Sequence, residues 1–270
     1  MKMRMLAVCM LAVLILSLCG LQTFAQDESE ETIYVYVTVC DQNGALALAR
    51  EEITVRDLNG DGTYSIDEAL QCAHEAKYQG GADGYASAET EYGTSLTKLW
   101  GVENNGSFGY YVNHVSPMSL DDAVKQGDEI DAFVYTDTDT FSDTYCFFDK
   151  THVAVSGNEK LTLTLVSYTY DENWNTVSVP VADAVITIDG KITSFVTDKN
   201  GKVTLSFDGT GYCVVSAKKD GMTLVPPVCA VAVSGNKLPT GDTSVVLWVA
   251  LIAVSLAAIC SLKKYTRHAL

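Results

Sequence analysis

The chain has 270 residues, with 34 acidic against 18 basic side chains and a formal net charge of −16; between Asp27 and Asp242, 13 basic residues face all 34 acidic ones, leaving −21. A surface of that sign repels phosphates, which excludes nucleic acid and anionic lipid headgroups as partners and leaves divalent cations and neutral or cationic ligands. No His-Glu-x-x-His, Gly-x-Ser-x-Gly or Cys-x-x-Cys sequence occurs, His74, His114 and His152 are scattered, and adjacent His74 and Glu75 point different ways on a helix, so no enzymatic activity is expected.

Residues 1–25 read as a signal peptide: a basic Met1-Lys-Met-Arg4, an apolar run to Leu21, and a small residue closing Thr23-Phe24-Ala25. Leu16-Ser-Leu-Cys19 is a poor lipoprotein box, because Leu18 stands where a small residue belongs. Ile33-Tyr-Val-Tyr-Val-Thr-Val39 alternates as a half-buried strand, and Glu52-Ile-Thr-Val-Arg56 is a second.

Next comes Asp57-Leu-Asn-Gly-Asp-Gly-Thr-Tyr-Ser-Ile-Asp-Glu68, whose oxygen-bearing side chains recur at the intervals at which a twelve-residue loop wraps calcium. Asp57, Asn59 and Asp61 fill the first three ligand slots, and Gly62 falls where the backbone must turn with positive φ. Thr63 offers its carbonyl, Ser65 a water-bridged contact, and Glu68 both carboxylate oxygens. Ile66, Ala69, Leu70, Ala73 and Lys77 then recur at helical spacing until Gly80-Gly81 stops the helix. The run resembles the EF-hand-like calcium loops of extracellular modules, dockerins among them, entered by a strand and without a second loop. The alternative is an Asp/Asn/Gly-rich β-to-α turn that binds no metal. The expected cofactor is one structural Ca2+.

Leu99-Trp-Gly-Val leads to Phe108-Gly-Tyr-Tyr-Val-Asn113, then Ser119-Leu-Asp-Asp122, then Lys125-Gln-Gly-Asp-Glu-Ile-Asp-Ala-Phe-Val-Tyr135, where Gly127-Asp128 turns into an alternating strand. This stretch resembles the transcobalamin-like C-terminal domain family, which implies a β-grasp-like α+β fold with one helix and binding of a small molecule or glycan, a corrinoid in the vitamin carriers. Trp100, Phe108, Tyr110, Tyr111 and Asn113 are the candidate ligand contacts, with core packing as the alternative for the aromatics. Asp137-Thr-Asp139-Thr-Phe-Ser-Asp143 lacks the glycine and closing glutamate of a calcium loop and reads as a solvated turn. The expected first domain spans 32–155.

The hexapeptide Val-Ala-Val-Ser-Gly-Asn stands at 153–158 and again at 231–236, as though ending two modules. Residues 160–236 alternate between strands and turns and are expected to form an all-β, Ig-like sandwich. The run Val181-Ala-Asp-Ala-Val-Ile-Thr-Ile-Asp-Gly190 with Thr197-Asp-Lys-Asn-Gly-Lys-Val-Thr-Leu205 resembles carboxypeptidase-regulatory-like and collagen-adhesin B-type domains, which implies a surface stalk. Cys213 and Cys229 on consecutive strands are expected to form a disulfide or to remain two buried thiols; Cys40, Cys72 and Cys146 are odd in number and leave their pairing open.

Residues 237–242, with Leu238, Pro239, Thr240 and Gly241, precede an apolar span at 245–262 and a basic tail at 263–270. The arrangement resembles a Gram-positive cell-wall sorting signal lacking one residue of its motif, so sortase attachment and a retained transmembrane helix both remain open. The sequence therefore predicts a protein on the outer face of a Gram-positive-type cell, anchored to membrane or wall. It is expected to be a calcium-binding, non-enzymatic recognition module on a β-sandwich stalk, with a small molecule, glycan or surface protein as partner. The alternatives are a structural spacer or adhesin without a small ligand, and a corrinoid-capture protein.

Overall fold

A computed structural model describes residues 32–235 apart from 104, 106, 158, 174 and 175. The expected signal peptide, sorting motif, transmembrane span and basic tail lie outside the described residues. Among those residues no helix is long and apolar enough to cross a membrane.

The chain is mostly β with one α-helix among its described residues. It opens with β1 (Ile33–Cys40) and β2 (Leu46–Val55), then α1 (Ile66–Lys77), a 3-10 turn at Gly81–Gly84, and the hairpin β3 (Ala86–Thr90) with β4 (Gly93–Lys98). β5 (Phe108–Val112) and β6 (Glu129–Val134) complete a sheet ordered β2-β1-β6-β5, in which β1 and β6 run parallel and the other pairs antiparallel. A parallel pair needs a long crossover, and α1 lies within the one linking β1 to β6. Val35, Val37, Val39, Ile130, Ala132 and Val134 share a core with Ile66, Ala69, Leu70 and Ala73 of α1, as the period-2 and period-3.6 patterns require.

The other face of that sheet is covered too. Thr38 and Cys40 on β1 are buried beside Phe133, because strands from further along the chain pack there. β1 is thus enclosed on both faces towards its end, where sequence alternation predicts one solvated face.

The remaining strands are β7 (Thr144–Phe148), β8 (His152–Ser156), β9 (Leu161–Tyr170), β10 (Thr176–Pro180), β11 (Val185–Ile188), β12 (Lys191–Val196), β13 (Lys202–Leu205), β14 (Gly211–Lys218), β15 (Leu224–Val225) and β16 (Cys229–Ser234). They form one sheet ordered β10-β9-β7-β15, with β13 also on β9, and another ordered β12-β11-β14-β16-β8. Phe148, Leu163, Leu165, Ile186, Leu205, Val215 and Val231 from both sheets make a common core.

Two expectations change here. Residues 144–156, assigned to the first domain, supply β7 and β8 to the sheets of the second half, so the hand-over falls between 135 and 143 rather than near 155–160. The twin hexapeptides do not close two separate modules. Their Val-Ala-Val-Ser residues lie side by side in one sheet, parallel and in register, Val153 opposite Val231 and Val155 opposite Val233. A shared pattern of Val-Ala-Val puts matching side chains on matching faces, which is what parallel register demands.

Candidate calcium loop and interdomain seam

The loop at 57–68 is shaped by its own carboxylates. Asp57 Oδ1 accepts the amides of Gly60 (2.6 Å) and Asp61 (3.2 Å), and Oδ2 that of Gly62 (2.8 Å). Gly60 and Gly62 sit at φ +75° and +83°, a region that side chains resist. Asn59 Oδ1 accepts from Asp61 N–H, and the Thr63 hydroxyl (2.6 Å) and amide beside Asp61 hold its carboxyl below the usual carboxylate range.

Glu68 closes the loop from inside the protein, only 4% exposed. Its Oε1 accepts the amides of Leu58 (2.6 Å) and Asn59 (3.3 Å), and its Oε2 accepts the Ser65 amide (2.9 Å) and hydroxyl (3.1 Å). Ser65 is the N-cap of α1, so serine and glutamate form a reciprocal capping box. The exit is fastened to the segment 119–124 by Ile66 N–H to Asp122 O, Asp67 N–H to Leu120 O and Val124 N–H to Tyr64 O.

The donors are all hard oxygens, which fits calcium chemically. Their carboxylates are turned to separate amide partners, and among the described residues no group of three His, Cys, Asp or Glu side chains is placed to hold a metal ion. The chemistry of the set matches the expectation, and in this arrangement its side-chain oxygens accept loop amides and hydroxyls.

The candidate aromatic contacts do not form one surface. Trp100, Phe108 and Tyr110 are half-buried against the α1 core, while Tyr111, on the opposite face of β5, stacks on Tyr145 with ring centroids 3.7 Å apart and planes 4° from parallel. Trp100 and Asn113 occupy positive-φ turn positions, at +50° and +49°, followed by Gly101 and His114 in the same region. Such two-residue turns demand that conformation, and Asn tolerates it well. Asn113 also ties the turn to Asp128 and to the Glu129 amide.

Sequence reasoning missed two sites. The first is His74, fully buried, with Nδ1 2.6 Å from Leu70 O and Nε2 accepting the Trp100 amide at 2.9 Å, which fixes a neutral tautomer. Tyr78, Tyr85 and Trp100 surround the ring, and burial lowers its pKa. Its neighbour Glu75 pairs with Arg56, so the two never act together.

The second is the seam between the halves. Arg50 has φ +48° at a β2 bulge and donates from Nε (3.0 Å) and Nη2 (2.9 Å) to Glu129 Oε1, while its guanidinium lies over the Tyr36 ring. Thr151 donates to the same Glu129 oxygen (2.6 Å), and His152 Nδ1 lies 3.1 Å from Arg50 Nη2. Tyr145 donates to Asp131 and meets His114, and burial with the nearby Asp131 charge pushes the Tyr145 phenol strongly up. The signal was present: Glu129 and Asp131 share a strand face with Phe133, and acids on a face with an aromatic point to a polar partner.

The expected Cys213–Cys229 disulfide is not formed; Cys40, Cys72, Cys146, Cys213 and Cys229 are all free thiols. Register gives the reason, since Cys213 lies opposite Val231 and Cys229 opposite Val215, a diagonal rather than a facing pair. Burial pushes the Cys229 thiol up to about 12.

No protein-family model and no curated protein matches the chain. Among solved structures it is similar to the N-terminal four Ig domains of Dscam1: isoform 6.9 at 8% identity over 42% of this chain and 24% of that one, isoform 4.44 at 12% over 42% and 26%, and isoform 9.44 at 13% over 56% and 32%. Each has a TM-score of 0.22, a likeness that carries no argument, and this chain spans about a quarter to a third of theirs.

Proposed function

We propose that the protein is a calcium-braced, non-enzymatic surface module whose two β-rich halves act as a single rigid spacer on the outside of the cell. The observation that carries the reading is the seam. The Arg50 and Glu129 side chains are only 11% and 19% exposed, and together with Thr151, His152 and the Tyr111–Tyr145 stack they tie the first sheet to strands of the second half. Partly buried charges are costly unless paired, and this pairing works only while the halves hold one orientation. Flexibly linked modules have no use for such contacts.

Recognition of a planar ligand through Trp100, Phe108, Tyr110 and Tyr111 is the less favoured reading, because their rings are committed to packing on two opposite faces. Corrinoid capture loses support for the same reason: one face of the first sheet holds α1 and the other holds the second half. Calcium bracing draws its support from the oxygen-only donor set, the two positive-φ glycines and the buried Glu68 that ties the loop to α1. The test is calorimetric. One cooperative melting transition is expected, and Arg50→Ala should split it into two; two independent transitions in the unaltered protein would overturn the rigid-spacer reading.

A further inference from the structure

We infer that a cleft between the β1–β2 turn and the outer face of the β12-β11-β14-β16-β8 sheet binds a short aliphatic peptide with free ends, an activity beyond the spacer role. The cleft measures about 440 Å³, within the range of small-ligand sites. Its floor is a cross-strand pair of hydroxyls, Thr187 opposite Ser216. These residues are 2% and 6% exposed, yet neither hydroxyl has a hydrogen-bond partner within the described chain. Since no inaccessible side-chain oxygen lacks a partner, both must open into the cleft. Uncommitted within the chain, each hydroxyl is free to donate to and accept from a ligand's polar groups in the cleft.

The charges are ordered along the sheet. Val214, Ser216 and Lys218 alternate onto one face of β14, with Asp189 just past the end of β11 beside Val214 and Thr187 beside Ser216. The line therefore reads carboxylate, hydroxyls, ammonium. Asp189 spends Oδ1 on the Val214 amide, and Lys218 forms no ion pair within the described chain. Four strand residues separate its ends by about 13 Å, and side chains leaning inward shorten that to the length of an extended tripeptide, about 10 Å. A free amino terminus meets Asp189, a free carboxylate meets Lys218, and the peptide's own N–H and C=O groups face Thr187 and Ser216. Leu46, Ala49 and Pro226 make the opposing wall, which suits small aliphatic side chains. Among the described residues no aromatic ring lines the cleft, which suits an aliphatic ligand rather than one that binds by stacking.

The experiment is an amide NMR titration of the full protein with trialanine, alongside the N-acetylated, C-amidated form. Saturable shifts at the β11 and β14 amides are expected below about 20 mM, with the capped peptide at least tenfold weaker. Thr187→Val, close to isosteric, should weaken trialanine about fivefold, and Lys218→Met about tenfold, at unchanged melting temperature. No shift at these strands, equal binding of the capped peptide, or full affinity in Lys218→Met would each overturn the proposal. Binding leaves the calorimetric transition count untouched, so this test and that of the spacer reading fail independently.

Discussion

Two acidic segments of this chain look alike in sequence and differ in how the fold treats them. At 57–68 and at 137–143, an aspartate gathers the amides that follow it: Asp57 takes Gly60, Asp61 and Gly62, and Asp137 takes Asp139, Thr140 and Ser142. The Ser142 and Thr140 hydroxyls beside Asp137 hold its carboxyl far below the carboxylate range. The first loop also has Glu68, buried at the start of α1 and bonded back to Leu58 and Asn59. The second has no such closure. Asp143 merely caps Thr136 and Asp137, at the hand-over between the halves. An Asp-rich turn needs only local amides to be stable, whereas a loop that can brace a structure must be fastened to the core.

The largest effect is expected where that fastening is removed. Glu68→Ala leaves the Leu58, Asn59 and Ser65 amides without their acceptor and should cost about 3 kcal/mol, a melting point lower by roughly 10 °C. Arg50→Ala attacks the comparison from the other end. It should cost about 2 kcal/mol by leaving Glu129 half-buried and unpaired, and should loosen the hand-over at 137–143 in hydrogen exchange while leaving any calcium response intact.

Calcium itself should matter at one loop only. Extracellular loops of this type bind at about 10⁻⁴ to 10⁻³ M, so about 10 mM calcium should stabilise the protein by roughly 1.5 to 2.5 kcal/mol. Asp57→Ala, which also frees the Gly60, Asp61 and Gly62 amides, should melt at the same lowered temperature in calcium as in chelator, while Asp137→Ala keeps the calcium gain.

The smallest effect is acid sensitivity at His74. Its pKa is lowered in the fold, so the unfolded chain binds the proton first. The stability this contributes is fully present above the unfolded value of about 6.5 and is lost as pH falls towards the lowered one. Stability should fall as pH drops from 7 to 5.5. His74→Gln should start less stable but show a flatter melting profile over that window; identical slopes would remove His74 as the cause.

The sequence was legible wherever one local rule decided the outcome. β1, α1 with its Ser65–Glu68 start, the Gly127-Asp128 turn and the strands after residue 160 all follow from periodicity and turn chemistry. Long-range pairing was not legible. Nothing local says that β7 and β8 join partners more than seventy residues away, or that two identical Val-Ala-Val-Ser runs lie side by side. The aromatic cluster misled for a related reason: Tyr110 and Tyr111 are neighbours in sequence but point to opposite faces of β5, one to α1 and the other to a strand no local pattern predicts. His74 was hidden because its partner Trp100 is 26 residues away.

The most direct test of the braced loop is a calorimetric titration of calcium into the protein, Asp57→Ala and Asp137→Ala in parallel. One site with a dissociation constant near 10⁻⁴ to 10⁻³ M, abolished by Asp57→Ala and retained in Asp137→Ala, is the predicted result. No binding heat in the unaltered protein, together with a melting point indifferent to calcium, would make 57–68 a self-satisfied turn of the same kind as 137–143.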